Sequence, residues 1–320
     1  MKNYIVKRLI ISLFVLFGIS ILIFALVNLQ PGNPYLHMLS PNTPPELIEA
    51  KLRSIGYYDN FFIKYIKWMK RALVFDLGYS IKFSRPVIEI ISSRIGNTIL
   101  LMGLSLILSS VLGVAIGMIS SLKRNTAVDD IITVVSFVGV SIPAFFFSLV
   151  LIKIFSYDLS ILPSSGMYNV RYNYSGIEKI LDMLLHLILP SAVLIMVHMA
   201  SFIRYTRSAM IEILDKDYIK SAMAKGMSFR KAILKHGLKN ALIPIITVFF
   251  IQVPTLFSGA LMTETVFVWP GIGRLGYEAV QNRDYPLIMG ILMITAVVIL
   301  ISNILADVFY ILVDKRVELE

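Results

Sequence analysis

The sequence predicts an all-α, polytopic membrane protein with six transmembrane helices. Three observations predict it. The 320-residue chain is 57% hydrophobic and only 16% charged, with a mean hydropathy of +0.78, whereas soluble domains carry roughly 25% charged residues. Six runs free of Asp, Glu, Lys and Arg reach about 20 residues or more, the length that spans about 30 Å of hydrocarbon at 1.5 Å per residue. Lysine and arginine collect in alternate connecting segments, the asymmetry that sets orientation in a bilayer. A chain of this length could bury a good core in water, but it has too little polar surface to cover one.

The first run, 9–30, follows Lys2, Lys7 and Arg8. Its apolar stretch exceeds that of a secretory signal, and no small-x-small cleavage site follows it. It reads as a retained N-terminal anchor, 1–30. The remaining runs are 95–122, 131–152, 183–203, 241–263 and 285–306. With the N-terminus inside, the segments on the cytoplasmic side hold sixteen of the thirty Lys and Arg residues, nine of them between Arg204 and Lys239. The short outer loops hold only Arg171, Lys179, Arg274 and Arg283. Both termini and the 204–240 loop are therefore expected in the cytoplasm. The net charge of +10 sets orientation on this reading and implies no nucleic acid. Zero cysteines exclude disulfides and thiolate metal sites and are silent on redox compartment.

Residues 31–94 form an extracytoplasmic amphipathic region ahead of a five-helix core, 95–320. Pro44 and Pro45 open a helix that Gly56 closes. Asn60 precedes a second, in which Phe62, Ile66, Met69 and Leu73 line one face and Lys64, Lys67 and Arg71 another. A third apolar segment, Pro86 to Ile91, follows Arg85. A receptor-facing platform and helices lying at the lipid interface both fit this pattern. Prolines interrupt three spans, at Pro143, Pro190 and Pro254, and each is expected to kink its helix in a bundle that opens and closes around a path. Gly113-x-x-x-Gly117 in the second span permits close helix packing.

The segment from Asp217 to Pro244, DYIKSAMAKGMSFRKAILKHGLKNALIP, is polar and basic yet lies between two apolar runs. It reads as helix, glycine, helix. Gly226 stands at the break, with positive φ expected there, and Ser228 is a good N-cap for the restart. Ala222, one turn before the glycine, is small enough for a partner to approach. The segment resembles the coupling loop of ABC importer permeases, in the variant of dipeptide, oligopeptide and nickel permeases.

The resemblance extends over nearly the whole chain. The first span ending in Gln30-Pro31-Gly32-Asn33-Pro34, then Phe75-Asp76-Leu77-Gly78 and Arg85-Pro86-Val87, are similar to the family's N-terminal part. So are Val140-Ser141-Ile142-Pro143-Ala144-Phe145 and Leu162-Pro163-Ser164-Ser165-Gly166 in and after the third span. Arg204-Tyr205-Thr206-Arg207-Ser208 leads into the loop as in the family. On the outer side, the stretch from Glu264 to Gly273 (ETVFVWPGIG) and Arg283-Asp284-Tyr285-Pro286 match most specifically. Two departures stand out. Lys220 occupies the place of the acidic residue that names the generic loop, and Asp314-Lys315-Arg316 replaces the common Asp-Pro-Arg.

The resemblance implies a type I ABC importer permease in a bacterial cytoplasmic membrane, carrying short peptides, nickel or other small solutes. It implies a second homologous permease, two ABC ATPase subunits and an extracytoplasmic substrate-binding protein as partners. ATP and magnesium would be bound by the ATPases, with no cofactor or metal on this chain, which is not itself an enzyme. The docking surface it implies comprises Asp217, Tyr218, Ser221, Ala222, Ala224, Lys225, Gly226, Ser228, His236, Leu238, Asn240 and Pro244. Glu264, Trp269, Pro270, Gly271 and Gly273 are expected at an outer gate or receptor-facing edge.

Other patterns carry less. Gly271-Ile272-Gly273-Arg274-Leu275-Gly276 matches GxGxxG but follows a membrane span where the dinucleotide fingerprint needs a strand. No GxxxxGKS or GxxxxGKT occurs, so the chain has no P-loop. Asn173-Tyr174-Ser175 is a formal glycosylation acceptor without evident meaning. His198 beside Met196 and Met199 reads as packing or a hydrogen-bonded bundle residue rather than a soft-metal path. Glu264 and Asp307 lie toward span ends, where a carboxylate pairs with a basic neighbour more readily than with substrate. An ion-coupled secondary transporter is the alternative class, but neither an inverted repeat nor mid-span charges are visible. An intramembrane hydrolase would need a nucleophile and base at matching depth, and His186 and His198 have no evident partner for that.

Overall fold

The computed structural model describes residues 2–29, 44–54, 56–172 and 174–313. The chain is helical over most of these residues. Its helices are α1 (Lys2–Asn28), α2 (Pro45–Ser54), α3 (Phe61–Ala72), α4 (Val87–Leu122), α5 (Ala127–Ser141), α6 (Ala144–Leu151), α7 (Gly176–Leu214), α8 (Asp217–Ala224), α9 (Phe229–Ala232), α10 (Leu238–Val266), α11 (Ile272–Gln281) and α12 (Tyr285–Val313). No strand is present among the described residues; the one strand-like contact is an isolated bridge between Tyr79 and Pro86.

Four helical stretches, within α1, α4, α7 and α12, are long and apolar enough to cross a membrane, and six spans result if each bent pair counts as one. The bent pairs are α5 with the α6 stretch that runs on to Asp158, and the 229–254 segment. These are the six runs expected from the sequence. The helices, however, run well beyond the apolar runs. The Pro86 to Ile91 segment is the start of α4, continuous with the second span, and α7 carries the fourth span to Leu214. A backbone already hydrogen-bonded as helix has no reason to stop where side chains turn polar.

The three prolines do not act alike. At Pro143 the helix breaks, and α5 and α6 meet at 101°. Ile142 before it is extended, with φ −77° and ψ 123°, as a residue preceding proline prefers. By contrast α7 passes through Pro190, and α10 through Pro244 and Pro254, without interruption. Pro190 is buried among Leu187, Leu189, Val193 and Leu194, so packing holds the helix together across the missing bond. α6 ends in a π-helical turn, Ile152–Asp158.

The chain forms two compact units: Met1–Ile5 with Ile99–Trp269 and Ile301–Glu320, and Val6–Thr98 with Pro270–Leu300. In the first, α7 is the central helix. At Gly113 of α4 an added Cβ would stand 2.5 Å from Phe202 Cβ, and at Gly117 2.7 Å from the Ile203 carbonyl oxygen. The small pair thus lets α4 lie directly on the α7 backbone, as the spacing predicts.

In the second unit α1 and α3 share an aromatic seam. Phe24 lies 5.4 Å from Phe61, 5.5 Å from Tyr65 and 5.5 Å from Trp68, ring centre to ring centre, and the Tyr65 hydroxyl is 2.7 Å from Ser20 Oγ. Asn60 caps α3 by accepting from the Phe62 amide at 3.1 Å. The stripe of Phe62, Ile66 and Leu73 faces away, 71%, 52% and 73% exposed, which agrees with a helix lying at a lipid interface. Beyond α3, Arg71 and the Gly78 amide hold Asp76, and the Arg71 hydrogen bond keeps its carboxyl below the usual range. A core of Leu77, Val87, Ile91, Ile272, Leu275, Leu287 and Ile291 ties α11 to the starts of α4 and α12. The expected Gln30 to Pro34 and Asp314 to Arg316 features, and Asn173, lie outside the described residues.

Candidate functional site

The 217–240 segment has anchored residues and open ones. Ile219, Ala232 and Ile233 are 1%, 0% and 2% exposed. Ile219 and Ile233 join Met210 and Ile213 of α7 in one core cluster. Gly237 lies close by: a Cβ there would sit 3.6 Å from both Ile213 Cγ2 and Met210 Cε. Tyr218, Met223, Phe229 and Leu234 of the same segment remain 41%, 37%, 49% and 59% exposed.

The break falls where the sequence places it. α8 ends at Ala224, Lys225 is its C-cap, and Gly226 has φ +88°. The Gly226 amide donates to the Met223 carbonyl at 2.9 Å and the Met227 amide to Ala222 at 3.2 Å, the reach-back bonds that close a helix. An added Cβ at Gly226 would meet nothing within 4 Å. Ser228 is at the N-cap of α9 with an extended backbone but makes no side-chain cap bond. Asp217, Ser221, Ala224, Lys225 and Ser228 are exposed, and Ala222 is half-buried. Lys220 lies 3.3 Å from Asp217 Oδ1. At the entry to α8, Glu212 accepts from Lys216 and pushes the lysine pKa up.

After α9 the chain makes a π-helical turn, Ile233–Gly237, that contains His236. Leu238 begins α10, and Asn240 donates to the His236 carbonyl at 2.8 Å. Pro244 lies inside α10, not at the end of a separate helix. Met223, Phe229 and Leu234 escaped the sequence reading. The same helical spacing contained them, but only the burial of Ile219 and Ile233 tells which side chains are left free.

Just before this segment stands an ion pair with a buried carboxylate and a half-buried guanidinium. Arg207 of α7 donates to both oxygens of Asp129 of α5, through Nε and Nη2, each at 2.7 Å. Ser120 at the end of α4 donates to the same carboxylate at 2.5 Å, and the Asn125 amide at 3.2 Å. The Asp129 side chain is 3% exposed. Next to it a cleft of about 320 Å³ opens between α5 and α7, lined in part by Thr133, Ser136, Phe137, Ser201, Arg204 and Ser208. Arg207 was noted only within a motif, and Asp129 gave no signal, because pairing across 78 residues is invisible to spacing.

The residues expected at an outer edge divide between the two units. Glu264 and Trp269 are fully buried, so their side chains offer no receptor-facing surface. Trp269 packs with Leu101, Leu187 and Leu194, and its amide donates to the Glu264 carbonyl at 2.8 Å. Between them Val268 has φ +55°, a costly state for a β-branched residue. In the other unit Asn97 donates to the Pro270 carbonyl at 2.8 Å, and Gly271 precedes α11, which contains Gly273. His198 lies 3.1 Å from Gln252 Oε1, as a hydrogen-bonded bundle residue.

Comparison with known proteins decides the family. The model for the binding-protein-dependent transport system inner membrane component matches residues 113–319, and that for the N-terminal part of such membrane components matches 1–102. The chain belongs to this family. It is 38% identical over 319 residues to the oligopeptide transport system permease protein AppB of Bacillus subtilis, covering 99% of this chain and all of that one. It is 35% identical over 332 residues to the dipeptide transport system permease protein DppB of Alkalihalophilus pseudofirmus, with 99% and 100% coverage. The glutathione transport system permease protein GsiC of Escherichia coli O6:H1 is 33% identical over 317 residues, with 99% coverage of each. An inward-facing structure of the MetNI methionine ABC transporter superposes with a TM-score of 0.59 at 17% identity, covering 72% of this chain and 100% of that one. That likeness shows the type I importer fold.

The chain is thus a multi-pass inner-membrane permease subunit of an ABC importer, and the secondary-transporter alternative falls away. Family membership implies ATPase and substrate-binding partners.

Proposed function

We propose that this chain forms one half of the transmembrane path of a short-peptide importer and receives the ATP-driven stroke through the 217–240 segment. The observation that carries the docking role is the exposure of the apolar side chains Tyr218, Met223, Phe229 and Leu234 on a segment anchored by the buried Ile219 and Ile233. An anchored segment with exposed apolar side chains suits a partner protein better than water. The lysine and arginine distribution supports a cytoplasmic position for it, with both termini on that side.

The assembly on this reading has a second permease, two ATPases that bind ATP and magnesium, and an external binding protein; the chain holds no cofactor. Short peptides are the solute class because the relatives described above are named for oligopeptides, dipeptides and glutathione. The buried Glu264 to Trp269 turn, with its left-handed Val268, would act as a rigid outer stop rather than a receptor contact.

Co-expression with the partner ATPases tests the docking role. Phe229→Glu should accumulate in the membrane at normal levels and lose ATPase co-purification at least tenfold, since 1.4 kcal/mol of docking energy is a factor of ten. Full retention of the ATPases by this variant would refute the docking surface.

A further inference from the structure

We propose that Asp129, Arg207 and Ser120 act as a positioning latch that couples the 217–240 segment to the broken third span. The proposal rests on the docking role above and adds how the stroke is passed on.

Three elements meet at one carboxylate. Arg207 reaches it from α7 as a two-pronged fork with both bonds at 2.7 Å. Ser120 reaches it from the end of α4, and the Asn125 amide from the turn between α4 and α5. A planar fork fixes distance and angle together, unlike a single lysine contact. Removing Arg207 would leave the buried Asp129 carboxylate, 3% exposed, without its cation, which is costly.

Its position along the chain gives it two neighbours. On the α7 side, Met210 and Ile213 follow Arg207 and share a core cluster with Ile219 and Ile233 of the docking segment. On the α5 side, Asp129 lies in the first turn of a helix that ends at the 101° break before Pro143. Much of α5 is otherwise exposed: Ile131, Val134, Val135 and Phe137 are 62%, 59%, 60% and 63% accessible. The fork ties the start of α5 to α7, and a second approach lies near the other end of α5, where a Cβ at Gly139 would stand 3.3 Å from Met196 Cε. When the docking segment shifts, the end of α7 moves with it, and the latch carries α5 along. The cleft between α5 and α7 lies beside the latch, and its width follows the latch geometry.

The test uses the complete importer in lipid nanodiscs and needs no transported solute. The natural chain has no cysteine, so spin labels at Val135→Cys on α5 and Leu185→Cys on α7 report one distance. Adding ATP with vanadate should shift that distance by roughly 1–5 Å, the scale of helix shifts in such switches. Arg207→Lys and Asp129→Asn should keep the ATPases bound yet lose most of the shift. The double exchange Asp129→Arg with Arg207→Asp should regain part of it. Ser120→Ala removes one donor and should show a smaller loss. An unchanged shift in assembled Arg207→Lys and Asp129→Asn complexes would overturn the latch. So would loss of assembly in all four variants, since that outcome assigns a purely structural role. Failure of the docking role itself is told apart by Phe229→Glu, which would then retain the ATPases.

Discussion

The Ser80 hydroxyl donates to the Asp284 carboxylate across 204 residues of chain, with both residues fully buried. Asp284 also accepts from the Lys82 amide at 3.1 Å and, at the start of α12, from the Leu287 amide at 3.3 Å. One side chain thus caps a membrane helix and pins the 80–83 loop. Its place in the Arg283 to Pro286 motif has a structural reason.

Asp284→Ala leaves those buried donors without an acceptor, each a cost of about 1–3 kcal/mol. The variant should lose about 2–4 kcal/mol of stability and melt lower in detergent. Ser80→Ala removes one donor and should cost less. A melting temperature equal to the parent's for Asp284→Ala would refute this account.

The contact between α4 and α7 predicts a contrast among glycines. Gly117→Ala places a methyl 2.7 Å from the Ile203 carbonyl oxygen and from Thr206 Cβ, so the helices must part. Overpacking of this kind costs about 1–3 kcal/mol. Gly103→Ala, on the same helix, meets nothing within 4 Å, and better helix propensity should leave it neutral or slightly stabilised. Thermal unfolding of the two purified variants decides; equal behaviour would mean that the close approach is not a source of stability.

Much of this was legible in the sequence. The six apolar runs, the positive φ of Gly226 and the closeness at Gly113 and Gly117 all follow from local rules, and all are present. What was not legible depends on distant pairing or on which face is covered. The Asp129–Arg207 pair and the Ser80–Asp284 pair join residues 78 and 204 apart. Prolines 143 and 190 look equivalent as residues, yet only the first breaks its helix, because burial around Pro190 compensates the lost bond. Of the expected stripe of Phe62, Ile66, Met69 and Leu73, Met69 is half-buried and the other three are exposed. The protein contact, however, is made by Phe61, Tyr65 and Trp68, whose aromatic seam on Phe24 wins over the more regular aliphatic row.

Orientation is open to direct labelling. Single cysteines at Ser54, Ser165 and Ser228 replace exposed residues in a chain with no other cysteine. In intact cells, the first two should react with an impermeant maleimide and the third should not. Reaction of the Ser228→Cys variant from outside would reverse the orientation and remove the docking segment from the ATP.

The absence of a P-loop predicts a dependence. Purified alone, the chain should hydrolyse no ATP, and steady turnover should appear only after ATPase subunits are added. Turnover by the rigorously pure single chain would contradict the division of labour.

Gly226 offers the sharpest test of the docking segment. Its φ of +88° is one that L residues adopt at a cost of about 1–2 kcal/mol, while the space around it is open. Gly226→Ala should therefore show backbone strain alone, with a modest loss of activity. Gly226→Asp adds charge and bulk at the same turn, between the exposed Met223 and Phe229. Nothing in either change touches a membrane-spanning helix, so both variants should reach the membrane at parental levels. The aspartate should cost docking energy beyond the alanine. At 1.4 kcal/mol per tenfold, ATPase co-purification should fall about tenfold or more, and transport with it. Ser121→Ala serves as the comparison: its hydroxyl bonds only the Met118 carbonyl of its own helix, and the effect should be mild. Normal transport with full ATPase retention in Gly226→Asp would make the segment a connector and nothing more.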